Sequence, residues 1–226
     1  MNTFRPCFRA RPWAYASAWV WGVALLAAGV AHAAPMGFAG SAMAMFDYDE
    51  SWRMVSANYA LTRSDAIGAS VSELRPERGA AHERLTQLEY VRLLKRWNLS
   101  DAQANVWLFG GLGELDRGAA GSNVAWSPGI QADYETTRLY AAATARLYRA
   151  GPIDRDVYSV RAGFSFYEAS YDEPQPWLIV DAKRMVGLYD GWEVTPMLRI
   201  IHKRFFIEGG VSDRGNVRAN LMITFF

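Results

Sequence analysis

The stretch Tyr158-Ser159-Val160-Arg161-Ala162-Gly163-Phe164-Ser165-Phe166-Tyr167-Glu168 decides the fold. One parity reads Tyr158, Val160, Ala162, Phe164 and Phe166; the other reads Ser159, Arg161, Gly163, Ser165 and Tyr167. Apolar residues at every second position line one face of a strand, whereas a helix would bring them round at 3.6. The same alternation returns elsewhere. Ile130, Ala132 and Tyr134 stand against Gln131, Asp133 and Glu135. Val194, Pro196, Leu198 and Ile200 stand against Glu193, Thr195, Met197 and Arg199. Val217, Ala219, Leu221, Ile223 and Phe225 stand against Arg218, Asn220, Met222 and Thr224.

Between these segments lie stretches rich in Gly, Pro, Asn, Asp and Ser, the residues turns require: Arg63 to Asp65, Pro76 to Ala80, Asp116 to Ser122, Gly151-Pro152, Tyr171 to Pro176, Tyr189 to Gly191 and Ser212 to Asn216. The punctuation predicts about twelve strands. They start near Ser41, Trp52, Ile67, Arg84, Ala104, Trp126, Arg138, Val157, Trp177, Trp192, Phe205 and Asn216. Ten is the alternative count. The segment Leu85 to Leu99 also fits a helical spacing, but Thr86, Tyr90 and Val91 favour a strand. Pro196 inside a strand predicts a local bulge. Gly110, Gly111 and Gly113 lack the lysine and helix of a phosphate loop, and predict instead a bend or room for a bulky neighbour.

The N-terminus reads as an export signal. Arg5, Arg9 and Arg11 precede an apolar run from Ala14 to Ala31, and Ala31-His32-Ala33 is an A-x-A cleavage site. This divides the chain into a signal peptide over 1–33 and a single domain over 34–226. Cleavage removes the one cysteine, Cys7, so disulfides and thiolate chemistry are excluded. Of 24 basic residues 21 remain, against 23 acidic ones, and a near-neutral chain does not call for nucleic acid as a partner. Beyond the signal no apolar stretch is long enough for a spanning helix, which needs about 20 residues.

Three features favour a membrane barrel over a soluble one. Arg161, Asp181, Lys183, Glu193, Arg199, Glu208 and Arg218 share the parity opposite the apolar row. A barrel in lipid turns that polar row into its lumen. Trp52, Trp126, Trp177 and Trp192 open segments and Trp97 nearly closes one, as rings at the headgroup level would. Finally, Asn220 to Phe226 runs as a strand up to the last residue.

In its export signal, alternation and final Phe225-Phe226, the chain resembles bacterial outer-membrane β-barrel proteins, whose last strand commonly ends in Phe. It departs in that Phe225 continues the apolar row while Phe226 lies one residue past it. The resemblance implies a closed antiparallel transmembrane barrel in the outer membrane of a Gram-negative cell. It also implies outer-membrane lipids and the barrel-assembly machinery as partners, with Phe225 and Phe226 as the assembly signal.

The chemistry-bearing residues are sparse. His82 and His202 have no nearby serine in a recognisable constellation, and no G-x-S-x-G or H-E-x-x-H occurs, so no catalytic residues are expected. No cofactor is expected either. Met36, Met43 and Met45 are thioethers of the kind that suits Cu(I), but no mature cysteine or histidine accompanies them; they are the weak candidates for a metal, and none is expected. The seven charges of the polar row are the lumen-facing candidates. The leading reading is a narrow passive channel for a small solute, or a structural barrel of the envelope. The alternatives are an envelope enzyme acting on lipid or lipid A, and a copper-linked barrel.

Overall fold

A computed structural model describes residues 35–76 and 82–226. The signal peptide read over residues 1–33 lies outside them. Fifteen β segments follow in chain order. β1 (Ala42–Tyr48), β2 (Trp52–Ala60), β3 (Asp65–Leu74), β4 (Glu83–Asn98) and β5 (Ala102–Asp116) come first. β6 (Ser122–Trp126) and β7 (Gly129–Thr136) are one stave broken at Ser127-Pro128. β8 (Leu139–Arg146) continues into β9 (Arg149–Ala150), and β10 (Ile153–Asp154) into β11 (Val157–Ser165). β12 (Gln175–Met185), β13 (Glu193–His202), β14 (Phe205–Val211) and β15 (Val217–Phe225) complete the set. Counting broken staves once gives twelve, all antiparallel, and β1 pairs with β15 from Ala42–Phe225 to Tyr48–Ala219. The barrel is closed, so no edge is left unpaired. No helix among the described residues is long and apolar enough to span a membrane.

The faces are inverted relative to a soluble barrel. Along β13, Glu193, Thr195, Met197 and Arg199 are buried while Val194, Pro196, Leu198 and Ile200 are exposed. Along β11, Val160, Ala162 and Phe164 are exposed and Ser159 and Ser165 buried. Leu88 (74% exposed), Val124 (72%) and Leu112 (63%) show how far the outer surface is apolar. Only a hydrocarbon surround makes such a surface favourable.

The two ends differ. At the terminus side, where β1 begins and β15 ends, four turns are short: 61–64, 99–101, 137–138 and 203–204. A longer loop, 166–174, joins them. At the opposite, turn side, the loop 186–192 folds back inward. Gly187 (φ +80°) permits the reversal, and a side chain there would meet the Asp154 carbonyl and Arg155. Leu188 and Tyr189 are thereby buried with Trp52, Leu74, Leu85, Leu115 and Met185 in an apolar plug. Tyr148 packs on Trp52 with ring centroids 4.9 Å apart.

Several local expectations change. Trp52 and Trp177 are 6% and 5% exposed and point into the barrel, so among the described residues only Trp97, Trp126 and Trp192 sit on the outer surface as a girdle would require. Position along a strand sets depth in the membrane; parity sets the side, and both tryptophans fall on the inward parity. Pro196 makes no bulge: the β12–β13 register is unbroken at Val180–Pro196. The β13–β14 ladder begins at Met197–Gly210, so the missing N–H falls where that pairing has ended. The register shift observed lies at Leu93/Lys95 in β4, which is a strand throughout. The glycine run does what steric reasoning requires. β5 pairs with β7 up to Phe109–Gly129 and with β6 from Leu112–Trp126, changing partner at Gly110-Gly111. A Cβ on Gly111 would lie 2.3 Å from the Ser127 hydroxyl, which donates to Gln87 over the inner face of β5 at 3.1 Å.

Candidate functional site

All seven charges of the polar row point inward, and six of them join one network on the wall formed by β11 to β15. Glu208 accepts from Arg161 and from Arg199 Nε, each at 2.7 Å. Arg161 also faces Asp181 at 3.6 Å. Asp181 accepts from Arg218 at 2.7 Å and from the Ser159 hydroxyl at 2.7 Å. Arg218 and Lys183 both reach Asp49, each at 3.3 Å. The Arg199 guanidinium lies between the rings of Tyr140 (4.6 Å) and Phe206 (4.7 Å), an arrangement that suits a weakly hydrated planar cation. Two-residue spacing places each of these side chains on the inner face; closure of the barrel brings strands distant in sequence together.

Glu193, the seventh, stands apart. It is 1% exposed and accepts from Asn216 at 2.9 Å, with no cation within ion-pair distance among the described residues. The plug residue Tyr189 donates to the Lys183 carbonyl at 3.3 Å. Burial, with the charges of Asp49 and Glu193 adding to it, holds the Tyr189 phenol well above its usual range, so it stays a neutral donor.

The opposite wall carries further groups, of which the alternation places only Asp133 on the polar parity. Arg146 donates to Glu89 at 2.8 Å, and Ser70 donates to the same carboxylate at 2.8 Å. Asp133 accepts from Trp107 at 2.7 Å and from Asn105 at 2.6 Å. Arg155 and Glu83 pair at 2.8 Å near the turn side. Glu89 sits in the stretch whose spacing also suited a helix, which hid its parity; Asp49 sits in a turn, outside any alternation.

Between the walls lies a central chamber of ≈ 300 Å³. Its charged lining is balanced: Asp47, Glu89, Asp181 and Glu208 against Arg146, Arg161, Lys183 and Arg218. The plug closes the chamber towards the turn side. Towards the terminus side a second cavity, a vestibule of ≈ 490 Å³, is lined by Arg63, Arg96, Lys203, Arg204, Trp107 and Phe226 among others. Met43, Met222 and Phe206 line both cavities and form the neck between them. The segment before β1 helps to close the neck. Met36 is 5% exposed and packs with Ala60, Ala66, Val91 and Trp107, and the Pro35 carbonyl accepts from Asn58 at 3.3 Å.

The histidines come nowhere near each other. His82 faces Glu73 at 3.3 Å at the turn side, and His202 meets the Asp172 carbonyl at 3.2 Å at the terminus side. Among the described residues no cluster of three His, Cys, Asp or Glu side chains could hold a metal. Phe225 continues the outward row opposite Ala42, and Phe226 lies beyond it, 5.9 Å from the Phe38 ring.

The sequence matches no family model and no curated protein. Solved structures of similar shape exist at low identity. The KdgM porin is 12% identical over 82% of this chain and 98% of that chain, with a TM-score of 0.49. LpxR from Salmonella typhimurium is 9% identical over 82% and 99%, also at 0.49. OccK8 (OprE) of Pseudomonas aeruginosa is 9% identical over 77% and 57%, at 0.42. The fold stands on this chain's own closure and inverted burial: a twelve-stave transmembrane β-barrel of the outer-membrane type, with a charge-paired chamber between an apolar plug and a narrow neck.

Proposed function

We propose that this protein is exported to the bacterial outer membrane, where it forms a passive barrel. Its lumen is closed at rest and opens to a narrow path for small solutes when the plug yields. The terminus side faces the periplasm, in keeping with short turns on that side of bacterial barrels. The observation that carries the reading is the chamber itself. A barrel filled only for stability would close its middle with packed side chains, yet here a space of ≈ 300 Å³ with eight charged side chains in its lining lies between the apolar plug and the neck. Its balanced lining favours neither cations nor anions strongly, so size decides what passes more than net charge.

The mature protein reconstituted in planar bilayers tests this. Wild type is expected to give small, infrequent openings. Replacing Leu188 and Tyr189 by Ser removes the side chains that close the turn side and should raise both conductance and open time. A steady, wide-pore conductance in wild type would contradict the closed resting state. Plug variants as silent as wild type would favour a purely structural barrel.

A further inference from the structure

Every methionine after Met1 points into this barrel. Met36 and Met43 line the vestibule, with Met222. Met43, Met45, Met54, Met197 and Met222 line the chamber. Met185 is buried in the plug, against which Met54 packs. The lipid-facing surface is built from Leu, Val, Ile, Phe, Tyr and Trp, and no methionine is among its exposed large hydrophobics in the described residues. Packing demand alone does not explain this partition. Met is as acceptable to hydrocarbon as Leu, so a hydrophobe chosen only for apolarity would fall on both faces.

The thioethers are also adjacent. Met45 is the direct cross-strand partner of Met222, and both face inward. Such partners have Cβ atoms about 4.5–5.5 Å apart. Met43 lies two residues from Met45 on the same strand and face. On the other side of β1, Met54 is the partner of Asp47. Asp47 lines the chamber and has no ion-pair partner among the described residues. The order from terminus side to turn side is therefore Met36, Met43, the Met45–Met222 pair, Met54 and Met185, a file of sulfurs through neck, chamber and plug.

From this file we infer a binding path for a soft monovalent metal ion of the Cu(I) or Ag(I) kind, with its principal site at Met43, Met45 and Met222. Thioethers are neutral, polarizable donors that prefer such ions and offer little to Mg²⁺, Ca²⁺ or Zn²⁺. Elsewhere the chamber's charges are mutually paired, which leaves it without net attraction for hard ions. The Asp47 carboxylate supplies the compensating charge that a cation among neutral ligands needs. Because single thioethers flank the Met45–Met222 pair along the axis, an ion leaving the pair meets Met43 on one side and Met54 on the other, as passage through a barrel requires. The inference is independent of whether the resting lumen conducts.

The test uses the full mature protein in detergent and Ag(I), added as silver nitrate in chloride-free buffer, with bound silver measured after equilibrium dialysis. Wild type is expected to retain at least one Ag(I) per barrel. The triple variant M43L/M45L/M222L should lose at least tenfold in affinity, while H82A/H202A retains the wild-type value. Met→Leu conserves volume and is well tolerated; heat-modifiable migration on gels verifies folding. If the triple variant does not fold, the pair M45L/M222L is used, with a drop expected in the same direction. Equal silver binding by wild type and the Leu variants, or binding abolished by H82A/H202A, would overturn the assignment. A wild-type barrel that prefers Zn²⁺ over Ag(I) would overturn it too.

Discussion

Replacing Glu208 by Gln probes the centre of the charge network with almost no change of shape. In the native barrel both carboxylate oxygens are used, one by Arg161 and one by Arg199, at 2.7 Å each. The side chains of Glu208 and Arg199 are 1% and 2% exposed. Arg161 is 23% exposed and keeps Asp181 as a second partner, so it tolerates the loss. Arg199 has no second carboxylate among the described residues; what remains is its stacking on Tyr140 and Phe206. Removing one member of a buried pair costs about 3–5 kcal/mol, because the other charge is left without compensation. Gln keeps one acceptor oxygen, which places the expected loss near the lower bound, about 3 kcal/mol. That is roughly a hundredfold in the unfolding equilibrium, at about 1.4 kcal/mol per decade. Urea unfolding of the reconstituted protein in lipid vesicles, followed by tryptophan fluorescence, reads it. The double variant Glu208→Gln/Arg199→Met removes the orphaned guanidinium as well and should recover more than half of the loss. A loss in Glu208→Gln below about 1 kcal/mol, the range of exposed ion pairs, would refute the buried network.

Other perturbations separate the faces. Ala162→Arg places a charge on the lipid side in the middle of β11 and should destabilise the barrel by about 2–4 kcal/mol in the same unfolding assay. Ser165→Arg, on the opposite parity, should also fail. Ser165 is fully buried and its hydroxyl donates to the carbonyls of Tyr167 (2.6 Å) and Pro176 (3.2 Å), so no wet lumen awaits the guanidinium. Lys203 holds φ +55° in the two-residue turn between β13 and β14. Lys203→Gly should therefore stabilise the hairpin, by up to about 1 kcal/mol, by relieving a left-handed conformation that costs most residues roughly that much. Gly113→Val should prevent assembly, measured as loss of the heat-modifiable band, because a Cβ there would lie 1.8 Å from the Thr86 carbonyl.

The barrel was legible because period two is a local property. Val160, Ala162 and Phe164 on one row and Arg161 on the other read directly as outside and inside. Turn residues gave the number of staves. Which inward charges meet was not legible. Arg161 and Glu208 are 47 residues apart and pair through the stagger of the closed sheet. Trp52 and Trp177 misled because a strand end fixes depth but not direction. Ser165 lies on the inward parity, but its full burial beneath the loop that follows β11 is a tertiary feature that alternation does not mark. The terminus-side neck depends on Met36 folding inward ahead of β1, and no periodicity marks that. Met43 and Met45 share the inward parity of β1, but their partner Met222 enters only when β15 closes on β1.

The most direct test of the inside-out barrel uses the absence of cysteine from residues 8–226. Single cysteines at Val55, Ser56 and Ala57 in β2 carry a fluorescent label, and the protein is reconstituted with lipids brominated along the acyl chain. Val55 is 59% exposed on the outer face, Ala57 shares that face, and Ser56 lines the chamber. Strong quenching is expected at 55 and 57, and little at 56. Quenching at 56 but not at its neighbours would contradict the inside-out barrel, as would equal quenching at all three.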